Sequence, residues 1–310
     1  MTLVAQAEIE DYLVIRAQRA PWVRALRALW WFARRKPLGA LGGIFVVTLI
    51  LVAISAQWLA PYWYDDQSWG EAMQGPSLRH LFGTDDLGRD MLSRVIYGAR
   101  VSVVIGFSAV AISAVVATVV GTISGYYGGW FDSLFQRVVD VWMSFPALVL
   151  LITVVSAFSR SGSPVHRVAA ITIVIGVIMA AGSSRVVRSA ATSVRNNQYV
   201  EAARCIGASD TRILVQHILP NVFGVIIILA TVQLGATILA ESSISFLGWG
   251  VPPPFPSWGQ MLSFKGILFM RTDPWLALWP GLAIALSVYS FNMLGDALRD
   301  VLDPRLRGSR

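Results

Sequence analysis

Charge is what this chain has least of. Only 14% of its 310 residues are Asp, Glu, Lys or Arg, against 55% hydrophobic, and the mean hydropathy is +0.61. An ordinary soluble domain does not carry that balance, so a polytopic membrane protein is expected. The two lysines, Lys36 and Lys265, are followed by Pro37 and Gly266. A phosphate-binding P-loop needs Lys and then Ser or Thr, so the chain is not its own ATPase and no cofactor is expected on it. The three histidines, His80, His166 and His217, sit in separate segments without zinc-ligand spacing, and no G-x-S-x-G elbow marks a nucleophile. A single cysteine, Cys205, excludes an internal disulfide. The net charge of +7 is spread over several loops without a basic stripe or a stacking motif, which argues against nucleic acid.

Long apolar runs are abundant instead. Charge-free stretches lie at 38–60, 101–123, 141–159, 168–184, 222–240 and 274–295. Crossing a ~30 Å hydrocarbon core takes ~17–25 helical residues, so six spans are expected in an all-α fold, with 168–184 the weakest because it is shortest. None of the runs alternates as a membrane barrel strand would. Basic residues then set the orientation. With both termini cytoplasmic, seventeen of the 25 Lys and Arg fall inside, and the outer segment Pro61 to Ala99 sets six acids against Arg79, Arg89 and Arg94. Trp30, Trp58, Trp142 and Trp275 are among twelve tryptophans near span ends or in loops, as interfacial anchors are. The expected layout is a cytoplasmic leader (1–37), a first span (38–60), an outer loop (61–99), a helical core (100–298) and a cytoplasmic tail (299–310). Within the core lie an inner loop (191–221) and an outer loop (246–273).

The leader sequence after Pro21 puts Trp22, Leu26, Leu29, Trp30 and Ala33 on one helical face and Arg24, Arg27, Arg34 and Arg35 largely elsewhere, the pattern of a helix lying on the inner leaflet. Ala109, Ser113, Ala117 and Gly121 recur every four residues, and Gly125 and Gly129 continue the series, so a neighbouring helix can approach closely there. Pro146 and Pro280 are expected to kink their spans. Glu241 is the one acid within a span, near its outer end. It lines a pathway or bonds to backbone where the chain leaves the membrane. A self-driven secondary transporter more often shows several such acids or inverted repeats, so the energy is expected to come from elsewhere. In GTDDLGRD, Asp85, Asp86 and Asp90 with Arg89 read as a structural ion-pair cluster in an exposed outer loop, with Gly83 and Gly88 as turn residues, rather than as a metal site. Asp296, Asp300 and Asp303 with Arg299 and Arg305 read as fixing the exit of the last span.

One polar segment interrupts the apolar pattern on the inner side: EAARCIGASDTRILVQHILP, from Glu201 to Pro220. A short helix is expected from about Asn197, with Asn196 or Asn197 as cap, Glu201 near its positive end, and Gly207 ending it in a left-handed turn. Ala202 and Ala203 keep one side smooth. Ser209 caps a second helix with Ile213, Leu214, His217 and Ile218 on one face, and Leu219-Pro220 sets the entry to the fifth span.

This segment resembles the coupling motif of permease subunits of binding-protein-dependent ABC importers. Four further stretches resemble the C-type permease of the dipeptide/oligopeptide/nickel group: RRKPLGALGG, FGTDDLGRDMLSRVIYGARVS, ESSISFLGWGVPPPFPSWGQML and FNMLGDALRDVLDPRLR. The likeness runs from about Arg34 to Arg307. Cys205 departs from it where an aliphatic residue is usual, and Trp249 where a smaller apolar one is. The resemblance implies the type I importer permease fold with a cytoplasmic coupling helix, in the inner membrane of a prokaryote. It implies a homologous B-type permease, two cytoplasmic ATPases holding ATP and Mg, and an extracytoplasmic solute-binding protein as partners, and alternating access as the mechanism. Coupling residues would be Glu201, Ala202, Ala203, Gly207, Ala208, Ser209 and Pro220. Glu241, Ser245, Trp249, Pro253 and Trp258 are candidates for a pathway or outer gate, where the prolines of PPPFPSWG stiffen a lid. The cargo expected is a peptide, with nickel chelate or oligosaccharide as alternatives inside the family. A self-contained secondary transporter, and then a membrane enzyme, are the alternatives outside it.

Overall fold

The computed structural model describes residues 21–158, 163–263, 268–269 and 271–302. The first twenty residues and Asp303 and Arg305 of the acidic tail cluster lie outside them. Helix α1 spans Pro21–Arg35 and α2 spans Pro37–Ile54. After a long loop come α3 (Met91–Tyr127), α4 (Gly129–Ser144), α5 (Ala147–Phe158) and α6 (Pro164–Arg195). The remainder is α7 (Gln198–Cys205), α8 (Asp210–Phe246) and α9 (Trp275–Leu302). Among the described residues there is no strand, as the all-α expectation requires.

Helices α2, α3, α6, α8 and α9 are long and apolar enough to cross a membrane, and α4 with α5 makes a sixth span if the bent pair is counted as one. The kink expected at Pro146 is sharp: the chain turns through 88° between α4 and α5. Pro146 removes a backbone donor and drives Phe145 into an extended conformation (φ −85°, ψ 137°), which ends α4 outright. The twelve residues of α5 then reach about 18 Å, short of a ~30 Å core. The run expected to be weakest belongs instead to the 32-residue α6, because the helix continues past its charge-free stretch through Arg185, Arg188 and Arg195.

Two other prolines do not break their helices. Pro280 stays inside α9. Pro220 stands, as expected, in the first turn of the regular α-helical segment Leu219–Phe246 of α8, which follows a π turn over Leu214–Ile218 that bonds the Leu219 N–H to the Leu214 carbonyl. That wider turn absorbs the misfit of the proline ring.

The longest packed seam joins α3 to α6. Ala109, Ser113, Ala117, Gly121 and Gly125 are all buried along it. A methyl group on Gly121 would meet the Ser184 carbonyl at 2.7 Å, and one on Gly125 the Arg188 carbonyl at 2.6 Å, so the small-residue series serves packing within the chain. Gly129 falls outside the seam, with nothing within 4 Å. Gln233 of α8 ties the seam to the next helix. Its side chain accepts from Ser113 Oγ at 3.0 Å and donates to Ser183 Oγ. On the far side of α8, Gly39 and Gly42 let α2 close against α9, and Lys36 pairs with Asp300. The acidic group at the end of α9 therefore ties back to the start of α2. In α1, Leu29, Trp30, Ala33, Arg34 and Arg35 are all exposed, and Arg34 and Arg35 lie over the Trp30 and Trp31 rings at 4.1 and 4.3 Å.

Candidate functional site

The two ends of the bundle carry the sequence's candidate residues, and they are built differently. At one end, the chain between α2 and α3 folds against the segment that follows α8. Asp90 caps α3 by accepting the Ser93 N–H at 2.8 Å, and His80 Nδ1 lies 2.9 Å from its other oxygen. Asp85 accepts the N–H groups of Leu87 and Arg89 and the Arg89 side chain at 2.8–2.9 Å, and sits 3.6 Å from Arg94. Gly83 and Gly88 turn with φ +77° and +74° as expected. The exposure expected of this cluster is corrected: Asp85, Asp90 and Arg94 are each less than 7% accessible. The loop is covered because Trp258 packs on Gly98 and donates to the Val95 carbonyl, Phe255 stacks on Tyr64, and Phe82 stacks on Trp279. No group of residues suited to a metal ion occurs among the described residues.

Of the five gate candidates, Trp258 packs on the α3 end of this unit and Pro253 lines a cavity with Asp85, Arg89 and Arg94. Glu241 is fully buried and accepts from Ser245 Oγ at 2.7 Å, so its bond goes to a hydroxyl and not to the backbone that was expected. Trp258 and Ser245 are buried beside it, and Gly250 lies so close to Ser245 that a side chain there would collide with it. Trp249 and Pro253 are exposed on the same end.

At the opposite end, α7 is a two-turn helix held by a complete terminal motif. Gly207 takes φ +78°, its N–H bonds to the Arg204 carbonyl, and the Ala208 N–H reaches back to the Ala203 carbonyl at 3.0 Å. Asn197 stands at the N-cap, but its amide side chain donates to the Tyr199 hydroxyl instead of capping. Ser209 caps α8 by accepting the Arg212 N–H. The inward face of α7 is Val200 and Ala203, which join Ile213, Ile218 and Val222 in one buried cluster. Ala203 therefore does not share the smooth outer side assigned to it with Ala202. The outer face presents Glu201, Ala202, Arg204, Cys205 and Ile206. Glu201 has no side-chain partner among the described residues, and Ile206 is 86% accessible. Ile206 was missed in the sequence reading, although an isolated isoleucine in a polar loop is a visible signal. Ala208 is half-buried, and Ser209 and Pro220 are exposed.

Residues 117–308 match the family described as binding-protein-dependent transport system inner membrane component, which is more than half the chain. The chain belongs to that family. Residues 21–76 match the N-terminal TM domain of oligopeptide transport permease C. The glutathione transport system permease protein GsiD of Escherichia coli O6:K15:H31 is 40% identical over 291 residues, covering 94% of this chain and 92% of that one. The protein of the same name from Salmonella paratyphi A is 42% identical over the same length. This permease is thus a transport subunit of an ABC importer of the peptide/glutathione family, not a catalytic subunit, and a multi-pass membrane protein.

Proposed function

We propose that this permease moves di- or oligopeptides inward by alternating access, as one half of a pathway shared with a homologous B-type permease. Two cytoplasmic ATPases drive it, and an extracytoplasmic solute-binding protein delivers cargo to the end where the 61–90 loop packs. Both termini are cytoplasmic, with α1 on the inner leaflet. Glutathione, the cargo in the names of the similar permeases, is itself a tripeptide and falls within the same substrate class.

The observation that carries this reading is the outer face of α7. A large apolar side chain and an unpaired carboxylate stand in solvent on a helix whose other face is buried and whose C-terminal end is closed by hydrogen bonds. Exposed apolar surface on a rigid element is the mark of a partner groove. Glu201 offers that groove a carboxylate, and Ala202 and Gly207 permit close approach.

The test is affinity purification from the native membrane in mild detergent, comparing the wild-type chain with Ile206→Asp. The wild type should bring down a second permease and P-loop ATPases, and the variant should lose the ATPases while keeping the second permease. Uptake by proteoliposomes containing the chain alone would overturn the reading. Competition between labelled dipeptides, glutathione and a nickel chelate in the intact transporter then ranks the cargo.

A further inference from the structure

Three elements meet beside the C-terminal turn of α7. The Tyr126 hydroxyl, at the last turn of α3, donates to Asp210 Oδ1 at 2.5 Å. Asp210 is the first residue of α8. The Arg204 guanidinium, from the last turn of α7, lies over the Tyr126 ring at 5.3 Å. Tyr126 is buried, only 4% accessible, and its ring belongs to the same cluster as Val200, Ala203 and Ile213.

The covalent link from α7 to α8 is poor at carrying motion by itself. It runs through Gly207, which takes φ +78° with an open Cβ direction, so only the two backbone hydrogen bonds that close α7 hold its conformation. Rotation at that glycine would let α7 shift without turning α8. The hydrogen bond and the cation–π contact bridge the same joint from outside, and they also take in α3. Because α3 is packed along α6 through glycine-width contacts, anything that moves Tyr126 moves both helices.

We propose that Tyr126, Asp210 and Arg204 form a latch that makes α7, α3 and α8 move as one body, so that displacement of α7 by a partner reaches the spans. The proposal rests on the coupling reading above and names the residues that execute it. Tyr126 and Asp210 are positioning residues: they touch neither cargo nor nucleotide.

The test uses the complete transporter, purified with its partners in lipid nanodiscs. Cys205 is the only cysteine in the chain and is exposed, so it takes a spin label, and Val215→Cys on the exposed side of α8 takes the second. With Tyr126 intact, ATP binding should change the mobility of the Cys205 label while the distance between the two labels stays constant. In Tyr126→Phe, which keeps the ring, that distance should change on ATP binding. Uptake per ATP hydrolysed should fall about ten-fold there, the factor carried by one lost hydrogen bond to a charged group. Asp210→Leu should act in the same way, and Asp210→Asn, which still accepts from the hydroxyl, should recover most of the uptake. A merely structural role would lower the yield of complex in all three variants together and would not spare Asp210→Asn.

Unchanged uptake per ATP in Tyr126→Phe would overturn the latch. So would a label distance that already changes with Tyr126 intact, a result that decides the matter even if the variants do not assemble. A Cys205 label that ignores ATP altogether would take down the coupling reading and the latch with it.

Discussion

At one end of this permease, Asp85 and Arg94 are buried against a largely buried Arg89. At the other, Glu201 and Ile206 stand open on a helix of eight residues. Both ends carry charged side chains, yet the first pairs Asp85, Asp90, Arg89 and Arg94 within the chain and the second leaves Glu201 without a side-chain partner among the described residues. Burying a charge is costly unless it is paired, so a closed cluster records a structure complete in itself. A rigid element left with an unpaired carboxylate and an exposed isoleucine records a structure completed by something else. The difference separates stability residues from docking residues without reference to which motif they belong to.

The sharpest way to break that comparison is to remove Asp85. Asp85→Ala strips the nearer counter-charge from Arg89, which keeps only Asp65 at 3.4 Å, and from the buried Arg94, and it removes the oxygen that accepts two turn N–H groups; breaking a buried pair from one side costs ~3–5 kcal/mol. Thermal unfolding in detergent should move to clearly lower temperature. An unaltered midpoint would mean that the closed end contributes nothing to stability, and the contrast would fail.

Gly207→Val should have the next largest effect, and on a different readout. A β-branched residue at φ +78° is strained by ~1–3 kcal/mol, enough to distort the end of α7 without disturbing insertion. Membrane abundance should match the wild type while ATP-driven uptake falls about ten-fold, a factor worth ~1.4 kcal/mol. Since nothing lies within 4 Å of a Cβ at this position, the penalty is one of backbone alone. Gly207→Asn, which tolerates the left-handed region, should therefore keep most of the uptake, and equal loss in both variants would point to a steric cause instead.

Much of this was legible in the sequence for identifiable reasons. Composition and run length gave the helical membrane class, and the four-residue spacing from Ala109 gave the α3 side of the main seam. Gly207 and Ser209 announced the end of one helix and the start of the next, because φ > 0 and side-chain capping are local properties. What the sequence hid depended on neighbours distant in the chain. Asp85 lines a cavity with Pro253, Gln260 and Leu276, far along the sequence, and the inward turn of Ala203 comes from Ile213 and Ile218. Tyr126 and Asp210 are 84 residues apart, and no periodicity relates them. The prolines marked where helices bend or begin, but not how: Pro146 ends its helix outright, whereas Pro220 follows a π turn whose register no local signal reveals.

The smallest effect, and the finest test of the contrast, is expected at Glu201. It is solvent-exposed, so Glu201→Ala removes no buried pair and should leave the unfolding temperature where it was, unlike Asp85→Ala. Its cost should appear only when the ATPases are present. An interfacial charge at the rim of a docking face contributes modestly and is partly replaced by water, so the expected loss of coupled uptake is about two- to three-fold. That loss should shrink further at high salt, because screening weakens an exposed pair in the wild type as well. Glu201→Gln, which keeps the length and hydrogen-bonding capacity but not the charge, separates the two contributions. If it matches the wild type at high salt and trails it at low salt, the carboxylate acts by charge. If Glu201→Ala instead lowers the unfolding temperature of the isolated permease, then α7 owes its rigidity to Glu201, and the open end is less open than its geometry shows.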